Sequence, residues 1–425
     1  MKDIRLENFR CYINQAISFR SGINLLVGDN ASGKTSVLKA CKYILSAFFA
    51  GFSDENTRWI SPLEEDYMTT MLQEGVLAKD TPLAIYFDFE GHTCKIQKNS
   101  RKTSKGLRTG IQSYIEYART LQATEHQAYP VFANFSTEGL NAEKIPNSNK
   151  FSDYAHKRSF GYFECLSGKD FFPYWTKRLL ILQEGQKNQE EIDIVRKAIQ
   201  GALGENGCNI IKDIHIRAIQ NKIYYIFTDN REVETKLLSD GYRRLLSIVV
   251  DIAFRCALLN RSVYGTEACE NSTGTIILDE IDLSLHPTLQ ASILKGLKNA
   301  FPKMQFIVTT HAPMVMTGVE SNNENIIYRL SYSEKNGYQI VETQTYGMDI
   351  STITNTVLGQ IPRDIEVDRR LSLLFDYIDK ENYKQAQEKL IAMKEKFGDN
   401  LPELSKAEAI LNFVTDEEDE ENNKK

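Results

Sequence analysis

A chain of 425 residues that is 42% hydrophobic and 25% charged, with a net charge of −6, has the makeup of a water-soluble globular protein with room for two or three structural units. No apolar run reaches the ~20 residues of a membrane span, and the acidic balance excludes a global basic field for nucleic acid. Seven cysteines, scattered and without C-x-x-C, exclude a disulfide framework and a zinc site and fit a reducing cytoplasm, in line with a start (Met1-Lys2-Asp3-Ile4) that runs directly into a strand without a leader.

In chain order, the opening Ile4-Arg5-Leu6-Glu7-Asn8-Phe9-Arg10 leads to an apolar strand, Ile23 to Val27, and then to Gly28-Asp29-Asn30-Ala31-Ser32-Gly33-Lys34-Thr35. This run fits G-x-x-x-x-G-K-[ST] at every fixed position and precedes a predicted helix, Lys34 to Ala50. The pattern suits a phosphate chain. Glycines let backbone N–H groups of Gly28, Asn30, Ala31, Ser32 and Gly33 turn inward, and the helix N-terminus favours anions. Lys34 would reach the β/γ-phosphates, Thr35 would ligate Mg²⁺, and Ser36 continues the cradle. ATP with Mg²⁺ is the expected ligand.

Residues 51–210 form a spacer with strand patterns at Leu83 to Phe89 and Thr93 to Ile96 and helical patterns near Gly110–Gln122 and Phe171–Leu203. Between them lies a basic stretch, Lys95, Lys98, Arg101, Lys102, Lys105 and Arg108. It reads either as a solvated loop or as a contact to a DNA backbone. The segment Ala133-Asn134-Phe135-Ser136 follows an apolar stretch. Arg119 and His126 have an R-x₆-H spacing that arises readily by chance, and no H-N-H nuclease pattern is visible among the six histidines.

Residues 211–345 return to alternating strands and helices. Ile214 to Ile219 and Lys222 to Phe227 predict a hairpin around Gln220-Asn221. Leu238-Ser239-Asp240-Gly241-Tyr242-Arg243-Arg244 precedes a long apolar helix, Leu245 to Leu259, with Ser239 as the expected N-cap. Ile276-Ile277-Leu278-Asp279-Glu280 is an apolar strand ending in two acids. Asp279 would hold the metal and Glu280 would orient and polarise the attacking water. Phe306-Ile307-Val308-Thr309-Thr310-His311 is a further strand with a polar end, where His311 would sense the γ-phosphate. Beyond residue 346, three amphipathic helices are expected from Leu371/Leu374/Phe375/Ile378, Ala386/Leu390/Met393 and Ala407/Ile410/Leu411/Val414. Their stripes read as local core or as a partner-docking surface. Asp416 to Glu421 reads as a disordered acidic end.

This order of parts resembles the ABC-type P-loop ATPases of the SMC-like group. The resemblance implies an α/β fold: a two-lobed ATPase head from 1–50 and 211–345, the β part of the first lobe plus a helical insertion in 51–210, a C-terminal helical region over 346–414 and an acidic tail, 415–425. It makes Leu238 to Arg244 the signature, with Asp240 and Arg243 departing from the usual Leu-Ser-Gly-Gly-Gln. Asp282 to His286 becomes the D-loop, Arg10 a phosphate contact, Lys34, Glu280 and His311 the catalytic set, and Ala133 to Ser136 a candidate glutamine loop. Ser239 and Gly241 would face the nucleotide of a second subunit, giving a head-to-tail dimer or a higher even oligomer. Tyr346-Gly347-Met348-Asp349-Ile350 and Pro130 to Thr137 are similar to the Septu-type anti-phage ATPases, also found with retrons. That likeness implies a cytoplasmic bacterial ATPase controlling an HNH nuclease partner, with DNA reached through the partner or the insertion and no membrane contact. A DNA-maintenance clamp and a weakly hydrolysing ATP-binding scaffold are the alternatives.

Overall fold

The opening alternation folds as an antiparallel hairpin, β1 (Asp3–Phe9) and β2 (Tyr12–Ser18), turned at Arg10 and Cys11. Arg10 sits in the left-handed region, φ 53°. The computed structural model describes residues 1–53, 58–68, 82–100, 108–137, 157–185, 188–361 and 363–422. The chain divides into two units, Met1–Ile353 and Thr354–Lys425.

In the first unit, β3 (Ile23–Gly28) is buried at every position and leads into α1 (Lys34–Ala47), which tightens into a 3₁₀ turn, Phe48–Ala50. β4 (Leu83–Phe89) and β5 (His92–Lys98) join the first hairpin in a four-stranded antiparallel sheet, β2-β1-β4-β5. Next come α2 (Gln112–Ala123) and β6 (Val131–Phe135). α3 (Phe172–Glu184) and α4 (Gln189–Leu203) resolve the helical pattern over 171–203 into two helices, with Asn188 in the left-handed conformation between them. β7 (Ile211–Arg217), β8 (Lys222–Phe227) and β9 (Glu232–Glu234) make a small antiparallel sheet, turning at Asn221, φ 52°.

The long helix α5 (Asp240–Tyr264) starts five residues earlier and ends five later than its apolar run. Then follow β10 (Gly274–Leu278), α6 (Pro287–Ala300), β11 (Met304–Thr310), β12 (Ile326–Ser333) and β13 (Gly337–Thr343). The second sheet is ordered β13-β12-β3-β11-β10-β6, with parallel pairing from β12 through β6. Its central strands β3 and β11 are buried throughout, as expected of a parallel sheet covered on both faces. β6 lies inside the 51–210 spacer, yet it completes this sheet beside β10.

The helices hold a core centred on Trp175, whose Nε1 donates to Asp251 Oδ1 at 2.5 Å. Arg255 brackets the same carboxylate. Glu191, 1% exposed, accepts from Arg178 and Arg261 at 2.8 and 2.7 Å. Such buried ions persist because each finds its counter-charge.

In the second unit, α7 (Ile365–Asp379), α8 (Tyr383–Phe397) and α9 (Pro402–Asn422) bury Leu371, Leu374, Ile378, Ala386, Leu390, Met393, Leu404, Ala407 and Leu411 in a core of their own. Asp364 caps α7 by accepting from the N–H groups of Glu366 and Val367 at 2.9 and 3.3 Å. The stripes therefore pack as local core. The acidic run expected to be disordered continues α9 to Asn422, and glutamate's good helix propensity permits this.

Of the basic stretch, Arg101, Lys102 and Lys105 lie outside the described residues. Of the others, Lys98 is buried, Lys95 is half-buried and Arg108 is exposed. Lys98 is 4% exposed and donates to Pro62 O at 2.8 Å. Lys95 lies 4.8 Å from the centre of the Tyr86 ring, and Arg108 lies 5.7 Å from that of Trp59. Of the described members, only Lys98 is withdrawn from a solvated or DNA-contacting surface. Arg119 and His126 are both exposed on the surface.

Candidate functional site

The carboxyl ends of β3, β11 and β10 lie side by side, because Val308 pairs with both Leu25 and Leu278 in register. Ligand crevices of open α/β sheets form at such ends. Here the ends border a cleft of about 670 Å³ lined by Arg10, Asn30 to Ser36, Asp279, Glu280 and His311.

The loop between β3 and α1 is built by two glycines that nothing larger could replace. Gly28 has φ +146°, and a Cβ there would lie 2.1 Å from Leu330 O. Gly33 has φ +99°, and its Cβ would meet Tyr12 Oη at 2.3 Å. Gly33 is the N-cap of α1 and provides no side-chain cap. The first-turn N–H groups are thus left for an anion, the donor set a phosphate chain needs. Lys34, 7% exposed, donates from Nζ to the carbonyls of Gly28 at 2.8 Å and Asp29 at 2.7 Å. Burial holds its pKa down to about 8, against the pull of Asp29, Glu280, Asp279 and Asp282. Gly28 supports the loop from behind, while Asn30, Ala31 (φ 62°), Ser32, Lys34, Thr35 and Ser36 face the cleft.

The acids are held by β11. Thr309 Oγ1 accepts from the N–H of Glu280 at 2.8 Å and donates to Asp279 Oδ1 at 2.7 Å. Thr310 Oγ1 donates to Asp282 Oδ1 at 2.5 Å, and the His311 N–H approaches the same oxygen at 3.4 Å. Glu280 has φ 48° and Ser284 φ 63°, so the chain turns sharply after the acids. His286 ends this loop as the N-cap of α6, its Nδ1 accepting from Thr288 N at 3.4 Å. Asp279 and the exposed Thr35 both border the cleft. Mg²⁺ fits such a site, because it takes one or two protein oxygens and completes its shell with waters and phosphates. Among the described residues no group of three or more His, Cys, Asp or Glu forms a dedicated metal cage.

Arg10 is at the cleft wall, with Nη1 3.7 Å from Asp66 Oδ1 and its N–H on Asp66 O at 2.8 Å. Asp66 is fully buried and also takes Lys39 at 2.9 Å and the Tyr43 hydroxyl. Ser239 and Gly241 are not brought to the cleft. Ser239 is exposed and has the extended N-cap backbone, but its hydroxyl makes no capping bond, contrary to expectation. The first-turn N–H groups of α5 have no side-chain cap as a result. Gly241 is buried, and a Cβ there would lie 2.5 Å from Ser284 O. Ala133 to Ser136 falls at the end of β6, beside the acids. Phe135 O accepts from Asp279 N at 2.9 Å, so this segment supports the acid strand through its backbone.

Sequence reasoning gave no role to Thr309, Thr310 or Tyr338, and named Asp282 and Arg244 only as members of the D-loop and the signature. Tyr338 lines the cleft from β13, its ring 5.9 Å from that of Tyr12. The polar trio ending β11 was a readable signal for the two threonines. Tyr338 carries none at its own position.

Lys34 gives the site a pH signature. A bound phosphate chain would raise the ammonium's pKa, so the charged form binds more tightly. Nucleotide affinity is expected to hold below about pH 8 and to fall by up to about tenfold per pH unit above it, until the bound-state pKa is reached. Calorimetry in two buffers of different ionisation enthalpy should show uptake approaching one proton above about pH 8 and almost none well below it. Absence of uptake would mean that the ammonium does not meet the phosphates.

The model of the AAA domain family matches residues 3–238. The chain is 25% identical over 394 residues to the retron Vc95 probable ATPase of Vibrio cholerae serotype O1 biovar El Tor, covering 78% of this chain and 75% of that protein. It is 24% identical to the retron Ec83 probable ATPase of Escherichia coli, covering 76% and 70%. It is 25% identical to the Septu protein PtuA of Bacillus mycoides (strain KBAB4), covering 75% of this chain and 39% of that protein.

Proposed function

We propose, for a chain that belongs to the AAA domain family and is an ATPase, that it is the nucleotide-driven subunit of a bacterial anti-phage complex, gating a partner nuclease of the HNH type in the cytoplasm. The observation that carries the ATP-dependent part is the convergence of three adjacent strand ends on one cleft, bringing Lys34, Thr35, Asp279, Glu280 and His311 together. Similarity to two retron ATPases and a Septu protein supports the defence role.

In this reading, Asn30 to Ser36 wrap the phosphates, Lys34 neutralises the β/γ oxygens, and Arg10 leaves Asp66 to meet the nucleotide. Thr35 and Asp279 hold Mg²⁺, which screens the phosphate charge. Glu280 polarises the water, and His311 reports the γ-phosphate. Ser239 and the uncapped start of α5 serve the nucleotide of a second copy, in a head-to-tail dimer or a higher even assembly. Contacts to the γ-phosphate favour the closed pair, and hydrolysis removes them. DNA is met through the partner or through the insertion, where Arg108 is exposed.

Ser239→Arg is expected to leave nucleotide binding to the isolated chain within about twofold and to reduce turnover by about tenfold or more, because it blocks only the pairing surface. Equal turnover in steady-state assays would remove the second-copy role. The complex itself is tested by size-exclusion mass analysis of the chain, alone and co-expressed with the product of its neighbouring gene, with and without ATP·Mg²⁺. A stable complex with a nuclease supports the reading. A nucleotide-driven homodimer that ignores the neighbour would shift it to a clamp acting on DNA directly.

A further inference from the structure

Helix α5 touches the acid loop at two points in its first turns. Gly241 abuts the carbonyl of Ser284, with no space for a methyl group. Three residues on, Arg244 is 9% exposed, and its Nη2 donates to the main-chain oxygens of Asp279 at 2.9 Å and Glu280 at 2.8 Å. Nε and Nη1 of the same guanidinium are buried and meet no acceptor. Asp282, Glu280, Asp279 and Asp170 all lie close enough to favour its charge. Burying an arginine costs several kcal/mol unless its donors are used. This one engages none of the four carboxylates by hydrogen bond and instead holds two successive peptide carbonyls.

Those peptides flank a non-glycine residue with positive φ. Glu280 has φ 48°, a region that disfavours non-glycine residues. Its N–H is fixed by Thr309 from β11 and its carbonyl by Arg244 from α5. The direction of its carboxylate therefore depends on two elements, one inside the sheet and one starting at the exposed Ser239.

We propose that Arg244 is a positioning residue that ties the exposed N-terminal end of α5 to the main chain of Glu280, so that a shift of the helix end resets where the Glu280 carboxylate stands over the phosphate loop. This rests on the reading of Glu280 as the water-polarising acid. The two unused donors give the guanidinium somewhere to go when the helix moves, since Asp282 and Asp170 are nearby. What the helix end touches outside the chain is thereby relayed to the chain's own hydrolytic acid.

The test compares Arg244→Lys and Arg244→Gln, each alone and combined with Glu280→Gln, by ATP binding, single-turnover hydrolysis and thermal melting. Arg244→Lys keeps the charge but loses the fork, and it decides alone if the glutamine variant does not fold. The expected result is ATP affinity within about twofold, a turnover rate lower by about tenfold or more, and no further loss when Glu280→Gln is already present. Unchanged turnover in Arg244→Lys overturns the proposal. So does a loss that multiplies in the Glu280→Gln background, because Arg244 would then act elsewhere. Ordinary turnover in Glu280→Gln alone removes the acid assignment itself, an outcome visible before Arg244 is altered.

Discussion

Replacing Lys34 with alanine is expected to abolish ATP binding, weakening it by at least about a hundredfold. The ammonium is already nearly dry and is held by two loop carbonyls at 2.8 and 2.7 Å, so little further desolvation is needed when phosphate arrives. Charge-assisted hydrogen bonds contribute about 1.5–3 kcal/mol each, and two of them account for the loss. The alanine also leaves the carbonyls of Gly28 and Asp29 without the cation they now face. Isothermal titration with ATP·Mg²⁺ measures this directly. Affinity within about threefold of the parent would show that the phosphates bind elsewhere.

Glu280→Gln is expected to bind ATP as the parent does and to hydrolyse it about 10²–10³-fold more slowly, accumulating a paired form. The substitution is nearly isosteric. The bonds that shape this residue come from its backbone, N–H to Thr309 and carbonyl to Arg244, so the turn should survive the change. What is lost is the carboxylate's capacity to take a proton from water. Single-turnover rates with mass analysis in ATP separate the two effects. A parent-like rate would move the base to another group.

The parts of the site legible in the sequence are those fixed by local rules. Gly28, Gly33 and Lys34 follow from a turn that only glycine can make and a helix start that needs an anion. The acids at 279 and 280 follow from where a buried apolar strand must end. The C-terminal stripes were legible for the same reason, since a period of 3.6 residues has one physical meaning in a short polar segment. Long-range bonds were not legible. Thr309 holding Glu280 and Arg244 holding both acid peptides join positions 29 to 36 residues apart in sequence. Composition also misled. Lys98 looks like part of a solvent-facing charge run, yet it is buried and a carbonyl takes up its ammonium, because a strand alternates its faces whatever the charge of the residues on it. Ser239 has the residue type and backbone of a helix cap but not the bond.

The strand that carries the phosphate loop is made early and completed late. Both neighbours of β3 in the sheet, β11 and β12, lie some 280 to 300 residues further along the chain. At roughly 5–20 residues per second of synthesis, the six buried positions of β3 wait on the order of tens of seconds for partners. Throughout that interval a ribosome-bound chain carries an apolar segment with open backbone edges and no site for ATP, so the ligand cannot assist its own pocket's assembly. Pairing across such a distance is slow and exposed to aggregation. The demand for chaperone protection during synthesis should therefore peak before residue 304 emerges and drop once β11 and β12 have flanked β3.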